Sequence, residues 1–198
     1  MLRLRMASMA IAYKDIRHFL KYLNDLMACK CFPDLLEEGI FPNAKELTES
    51  MAVFHFCRWH LSDRFPLCDK SITLFSVGDG RTPRTAALFA YRTAWTCYSI
   101  DPNLNTQRSY RARRLVLVKK KIEEFETNVE KAVIVAVHSH APLDVAVEHI
   151  SAPDKVVIAI PCCVPQEIPG YPPDLEYVDH AIWSEKNLVR VWLFQNRH

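Results

Sequence analysis

Apolar and polar positions change their rhythm about one third of the way along this chain. Before residue 66 the spacing is helical. In "DIRHFLKYLNDLM", Ile16, Phe19, Leu20, Leu23 and Met27 recur three and four residues apart. A second helix is predicted from about Asn43 to about Leu61. Asn43 is its N-cap, Glu46 follows three residues later as in a capping box, and Leu47, Met51, Phe54 and Arg58 recur along one side. From Ser71 onward short apolar runs take over. "ITLFSV", "WTCYSI", the start of "RLVLVKKKIEEF", "KAVIVAV" and "KVVIAI" read as strands. "RTPRTAALFAYRT" and "APLDVAVEHI" between them read as helices, the first with Thr82 as N-cap and Pro83 at the first helical position.

Strands alternating with helices imply right-handed crossovers and a parallel sheet. The tail offers two more strands, about Tyr177–Trp183 and Leu188–Phe194, separated only by Ser184 to Asn187. That is hairpin spacing, so the last strand should run antiparallel to its neighbour. The expected fold class is α/β: a Rossmann-like seven-stranded sheet, parallel except for a reversed terminal strand, preceded by N-terminal helices. Residues 1–66 form a helical extension packed on the core, and residues 67–198 form the Rossmann-like domain, in one compact unit.

Composition narrows this picture little. A length of 198 residues suits one domain, and 49% hydrophobic residues support a full core. The net charge of +2 argues neither for nor against a polyanionic partner. Seven cysteines, an odd number without a secretory signal, read as reduced thiols in an intracellular, cytoplasmic protein. The basic, acid-free start "MLRLRMASMAIAYK" leaves an organelle-targeting reading open. No apolar run approaches a membrane span. No metal site is expected, because Cys29-x-Cys31 and Cys162-Cys163 lack the C-x2-C spacing of zinc sites. Cys57 and Cys97 read as buried hydrophobes.

Glycine usage is more informative. The chain has four glycines where average usage gives about 14, and two of them, Gly78 and Gly80, flank Asp79 in the turn after "ITLFSV". Such a turn lets a ligand lie against bare backbone at the carboxyl end of a strand. Asp101 closes the next strand, where a carboxylate can accept hydrogen bonds from a ribose. The dinucleotide fingerprint needs a glycine where Pro83 stands, and no G-K-[ST] is present. A ribose acid without a diphosphate turn fits S-adenosylmethionine. The plain structural reading is a tight strand-to-helix turn and a solvated aspartate.

"VGDG" after the first strand, "SIDP" after the second and the closing hairpin resemble class I S-adenosylmethionine-dependent methyltransferases, from about Asn43 to the C-terminus. The resemblance implies that Gly78, Asp79 and Gly80 face the methionine part of the cofactor, Asp101 its ribose, and Ile122 and Glu123 its adenine. Ser76 stands where the family often carries an acid, a role that Asp79 takes in this reading. "VAVHSHAPLDVAVEHI" and "IAIPCCVPQ" resemble a narrower subgroup with roughly L-H-x-C-G-x-x-x-D followed by P-C-C, which includes candidate RNA methyltransferases. His138, Asp144, Pro161, Cys162 and Cys163 carry that likeness, while His140-Ala141 replaces its Cys-Gly.

Methyl transfer needs alignment and a dry pocket, and a base only where the acceptor must lose a proton. His138 and His140 are the candidate bases, with His138 also near the cofactor. Cys162 is read as packing under the cofactor rather than as a nucleophile. Arg108, Arg111, Arg113, Arg114, Lys119, Lys120 and Lys121, with Tyr110 among them, form a candidate RNA-tracking edge. The amino-directed Asn/Asp-Pro-Pro-aromatic motif is absent. Two further readings stand beside the methyltransferase. One is a degenerate methyltransferase fold kept as a scaffold for a protein partner; the other is a dehydrogenase, which Pro83 opposes.

Overall fold

The computed structural model describes residue 18 and residues 20–195. Ile16, Phe19, the basic first 14 residues and the last three residues lie outside them. Among the described residues three helices come first: α1 Lys21–Met27, α2 Phe32–Glu37 and α3 Ala44–His60. The α/β part holds β1 Ile72–Val77, α4 Arg84–Arg92, β2 Thr96–Ile100, β3 Leu115–Val118, a 3-10 turn at Ile122–Glu124 and β4 Thr127–Asn128. Then come β5 Lys131–Val137, α5 Leu143–His149, β6 Ile150–Ser151, β7 Asp154–Ile160, β8 Leu175–Val178 and β9 Leu188–Gln195.

Seven strands form one sheet in the order β3-β2-β1-β5-β7-β9-β8. The first five are parallel, and β9 runs antiparallel to both β7 and β8. β4 and β6 make a separate two-stranded ladder. The central strands β5 and β7 are buried almost end to end, as expected for strands covered on both faces. On one face α1, α3 and α4 pack through Leu26, Met51, Phe54 and Phe89 onto Val133, Val135 and Val191. On the other, Ile122, Leu143 and Ala146 pack onto Phe75, Ile134 and Val157. The first core runs unbroken across residue 66, so the N-terminal helices complete the sheet's cover. Among the described residues no helix is long and apolar enough to cross a membrane.

Three local expectations change. Asn43 does cap α3, its Oδ1 accepting from the Glu46 N–H at 2.9 Å, but α3 has no single buried side. Every residue from Leu47 to Cys57 is buried and Arg58 is exposed, because the helix is wedged between its neighbours and the sheet. At α4, Pro83 is the N-cap residue itself. The Thr82 hydroxyl donates to the Ile40 carbonyl at 2.9 Å, and Asp79 supplies the cap. The hairpin's first strand stops at Val178 rather than Trp183. Asp179 turns the chain by accepting from Ala181 N–H at 2.9 Å, and Ala181 and Ile182 then sink into the first core.

Candidate functional site

The sheet order reverses at β1, whose neighbours β2 and β5 leave in opposite directions. Ligands bind α/β sheets at such a switch point, beyond the carboxyl ends of the strands. A cavity of about 400 Å³ opens there. It is lined by Gly78 and Gly80 after β1, Asp101 after β2, Lys120, Lys121, Ile122 and Glu123 after β3, and His138 and His140 after β5, with Arg84 from α4. The volume lies within the range for small-molecule sites. Gly78, Gly80, Asp101, Ile122, Glu123, His138 and His140 thus share one cavity. Ser76 and Asp79 do not line it.

Both glycines have a left-handed backbone, φ +70 at Gly78 and +87 at Gly80, but for different neighbours. A β-carbon at Gly78 would press into Ser139, 2.9 Å from its Cβ and 3.3 Å from its Cα. The close passage there is made by the loop after β5. At Gly80 a β-carbon would meet only the Arg84 guanidinium, at 3.4 Å. Gly80 is therefore the glycine that keeps the cavity wall bare.

The two aspartates divide the work. Asp79 is buried, and its carboxylate accepts from Thr85 N–H at 3.0 Å, Ala86 N–H at 3.2 Å and the Ser99 hydroxyl at 2.9 Å. Burial raises its pKa despite Arg84 and these bonds. It anchors α4 to β2 instead of facing a ligand, contrary to the expectation from "GDG". Ser76 is likewise buried, within β1. Asp101 accepts from Gly80 N–H at 2.9 Å and from Asn103 N–H at 2.7 Å. A carboxylate has about four acceptor positions, so lone pairs remain for a ligand at the cavity wall.

His138 closes the β5 end of the site with a positive φ of 49, which is uncommon outside glycine. Its Nε2 lies 2.9 Å from the Lys186 carbonyl and its Nδ1 lies 3.2 Å from Glu49 Oε1. A carbonyl only accepts, so Nε2 carries a proton. Nδ1 then faces the Glu49 carboxyl group at ion-pair distance. Burial lowers the His138 pKa, and burial lifts that of Glu49 to about 7 against the pull of Lys45 and Arg84. Both ring nitrogens are thus engaged by protein. His138 ties helix α3 and the 179–187 turn to the cavity rim, and a base role would require breaking that tie. Nothing in the sequence around Glu49 marks it as a partner of His138, apart from its being an acid within an apolar helical run.

The Glu49 carboxyl gives a pH-dependent expectation. Its folded pKa lies above its ordinary value of 4.5, so the buried carboxylate costs stability as pH rises from about 4.5 to 7, and the full cost stands above 7. Glu49→Gln keeps the shape without the charge. It should stabilise the protein by about 2 kcal/mol at pH 8, somewhat less than the shift alone implies at about 1.4 kcal/mol per pH unit, because His138 Nδ1 loses its carboxyl neighbour. The gain should fade toward pH 4.5. Urea melts at pH 8 and pH 5 check this, and an equal gain at both would contradict it.

The basic cluster does not act as one surface. Arg111 is held by Asp34 Oδ1 at 2.6 Å and Glu37 Oε2 at 2.8 Å. Tyr110 packs against the first core rather than presenting its ring. Arg108 lies over Gly39, and Arg113 and Arg114 are exposed. Lys119, Lys120 and Lys121 are exposed beside the cavity. Cys57 and Cys97 are fully buried, and burial pushes both thiols up, as expected of small hydrophobes. A scan of protein-family models and a search of curated proteins return no match to this chain.

Proposed function

We propose that this protein is a methyltransferase that uses S-adenosylmethionine. The observation that carries the reading is the cavity at the switch point, in which the Gly78–Gly80 turn, the Asp101 carboxylate and the Ile122–Glu123 segment converge. The resemblance assigns them to the methionine part, the ribose and the adenine, and their convergence on one cavity supports that reading. The fit is supported by the remaining acceptor positions of Asp101 and by the bare wall at Gly80. The bound cofactor would supply the methyl group. The chain's own part is to hold it and to position an acceptor near His138 and His140. The engagement of both His138 nitrogens favours acceptors that need no strong base.

Calorimetry tests this directly. S-adenosylmethionine and S-adenosylhomocysteine should bind with one site per chain, and NAD should give no heat. Absence of binding at millimolar S-adenosylmethionine would instead favour the second reading, a methyltransferase fold kept as a scaffold for a protein partner. The inward-turned Asp79, the buried Ser76 and the engaged His138 are the observations on that side.

RNA is the proposed acceptor class, now through Lys119, Lys120 and Lys121 rather than Arg111. Three phosphate contacts on a single strand would give a log–log salt slope of about −2. Replacing the three lysines by alanine should flatten it. Filter binding across a salt series reads this, and an unchanged slope would remove the lysine surface from consideration.

A further inference from the structure

The loops after β5 and β7 are neighbours because those strands pair in parallel, with Val137 opposite Ile160. His138 N–H continues the pairing to the Ile160 carbonyl at 2.9 Å. Beyond the strands, the buried Gln166 joins the loops. Its Nε2 donates to the Ser139 carbonyl at 2.8 Å and to that of Ala141 at 3.4 Å. This clamp fixes His140, between those two carbonyls, against Cys162 and Cys163.

The three side chains converge. Cys162 Sγ and Cys163 Sγ lie 3.6 Å apart, and Cys163 Sγ lies 3.1 Å from His140 Nε2. All three ligand atoms fall within 4.8 Å of one another. Two thiolates on one tetrahedral zinc, with bonds of about 2.3 Å, stand about 3.8 Å apart. The sulfur pair therefore already has the spacing of a shared metal. The sulfur–nitrogen pair needs to open by a few tenths of an ångström, and the longest edge needs to close by about one. Cys162 is half-buried, while His140 and Cys163 are exposed, so an ion has a way in.

We infer that His140, Cys162 and Cys163 bind a soft divalent cation of the zinc type, with three protein ligands and a fourth position open to solvent. Neutral imidazole and two thiolates around Zn²⁺ leave no net charge. Binding releases the two thiol protons to solvent. Two sulfurs and one imidazole nitrogen select zinc over magnesium or calcium, which take oxygen. His140 also lines the cavity, so the ion would stand at its rim. The inference is independent of the methyltransferase reading, since it needs no cofactor.

The test uses the full-length reduced protein, titrated with Zn²⁺ against a chromophoric chelator. One tight site per chain is expected, with release of about two protons in weak buffer. Co²⁺ in its place should give a thiolate-to-metal absorption band. Cys162→Ser, Cys163→Ser and His140→Asn should each weaken binding by at least about 100-fold, the upper range seen when merely a supporting partner is lost. Cys68→Ser, which removes the exposed thiol outside the cluster, should leave it unchanged. Circular dichroism of each variant separates ligand loss from misfolding. Gln166→Ala adds an arm that leaves the ligands intact, and a several-fold loss is expected from loosening the clamp. The inference is overturned if the parent binds zinc no better than the Cys162→Ser/Cys163→Ser double variant. It is equally overturned if Cys68→Ser abolishes the site, or if the two neighbouring thiols oxidise to a disulfide at the same rate with and without Zn²⁺.

Discussion

Gly78→Ala should destabilise the protein by about 2–5 kcal/mol, more than the same change at Gly80. Two effects add at Gly78. A left-handed backbone costs a β-carbon about 1–2 kcal/mol. The new methyl must also displace Ser139, whose Cβ and Cα lie 2.9 and 3.3 Å away, and overpacking of this kind costs typically 1–3 kcal/mol. Ser139 cannot yield cheaply. Its hydroxyl accepts from Ala141 N–H at 3.0 Å and its carbonyl is held by Gln166. At Gly80 only the backbone term and a flexible guanidinium oppose the change, so about 1–2 kcal/mol is expected there. Thermal and urea melts of the two variants decide the order. Equal losses would show that the Ser139 contact contributes nothing.

Asp101→Ala is expected to weaken S-adenosylmethionine binding by about 3 kcal/mol, on the order of 100-fold, through loss of charge-assisted hydrogen bonds to the ribose. The variant also leaves the Gly80 and Asn103 N–H groups without their acceptor, so its melting temperature should fall by several degrees. Calorimetry well below that temperature separates the two effects. A parent that binds and a folded variant that binds equally well would remove Asp101 from the cofactor site while leaving the cavity reading intact. Gly80→Val provides the complement, since its branched side chain would stand among the cavity-lining atoms beside Arg84 and block the ligand.

The sheet was legible because its strands are short apolar runs closed by turn residues, and because the reversal came with a hairpin-length gap. Its boundary error at Val178 arose where Ala181 and Ile182, apolar enough to continue a strand, were drawn into the helix-facing core. Within the site, Asp101 and Asp79 look alike in sequence. Only the geometry of the turn decides that one meets the cavity and the other the first N–H groups of α4. Spacing rules tested each cysteine pair against its own neighbours along the chain. They could not find His140 beside Cys163, because the two loops meet only through pairing of β5 with β7 and the Gln166 clamp. Arg111 shows the same limit for charge, since its two carboxylate partners come from a helix far upstream.

The wedged position of α3 bears on how the chain is made. Thr48 Oγ1 accepts from Trp183 N–H at 3.0 Å across 135 residues, and the Tyr22 hydroxyl donates to Asp179 across 157. An early helix that takes its polar partners from the last hairpin cannot finish packing during synthesis. It can pack on α4 and β5 as these emerge, but its Thr48 bond closes only when the C-terminal segment arrives. Such long-range closure slows folding and lengthens exposure of apolar surface. Its reward is cooperativity: the two ends of the chain lock the same layer, so neither can fray without loosening the wall beside the cavity.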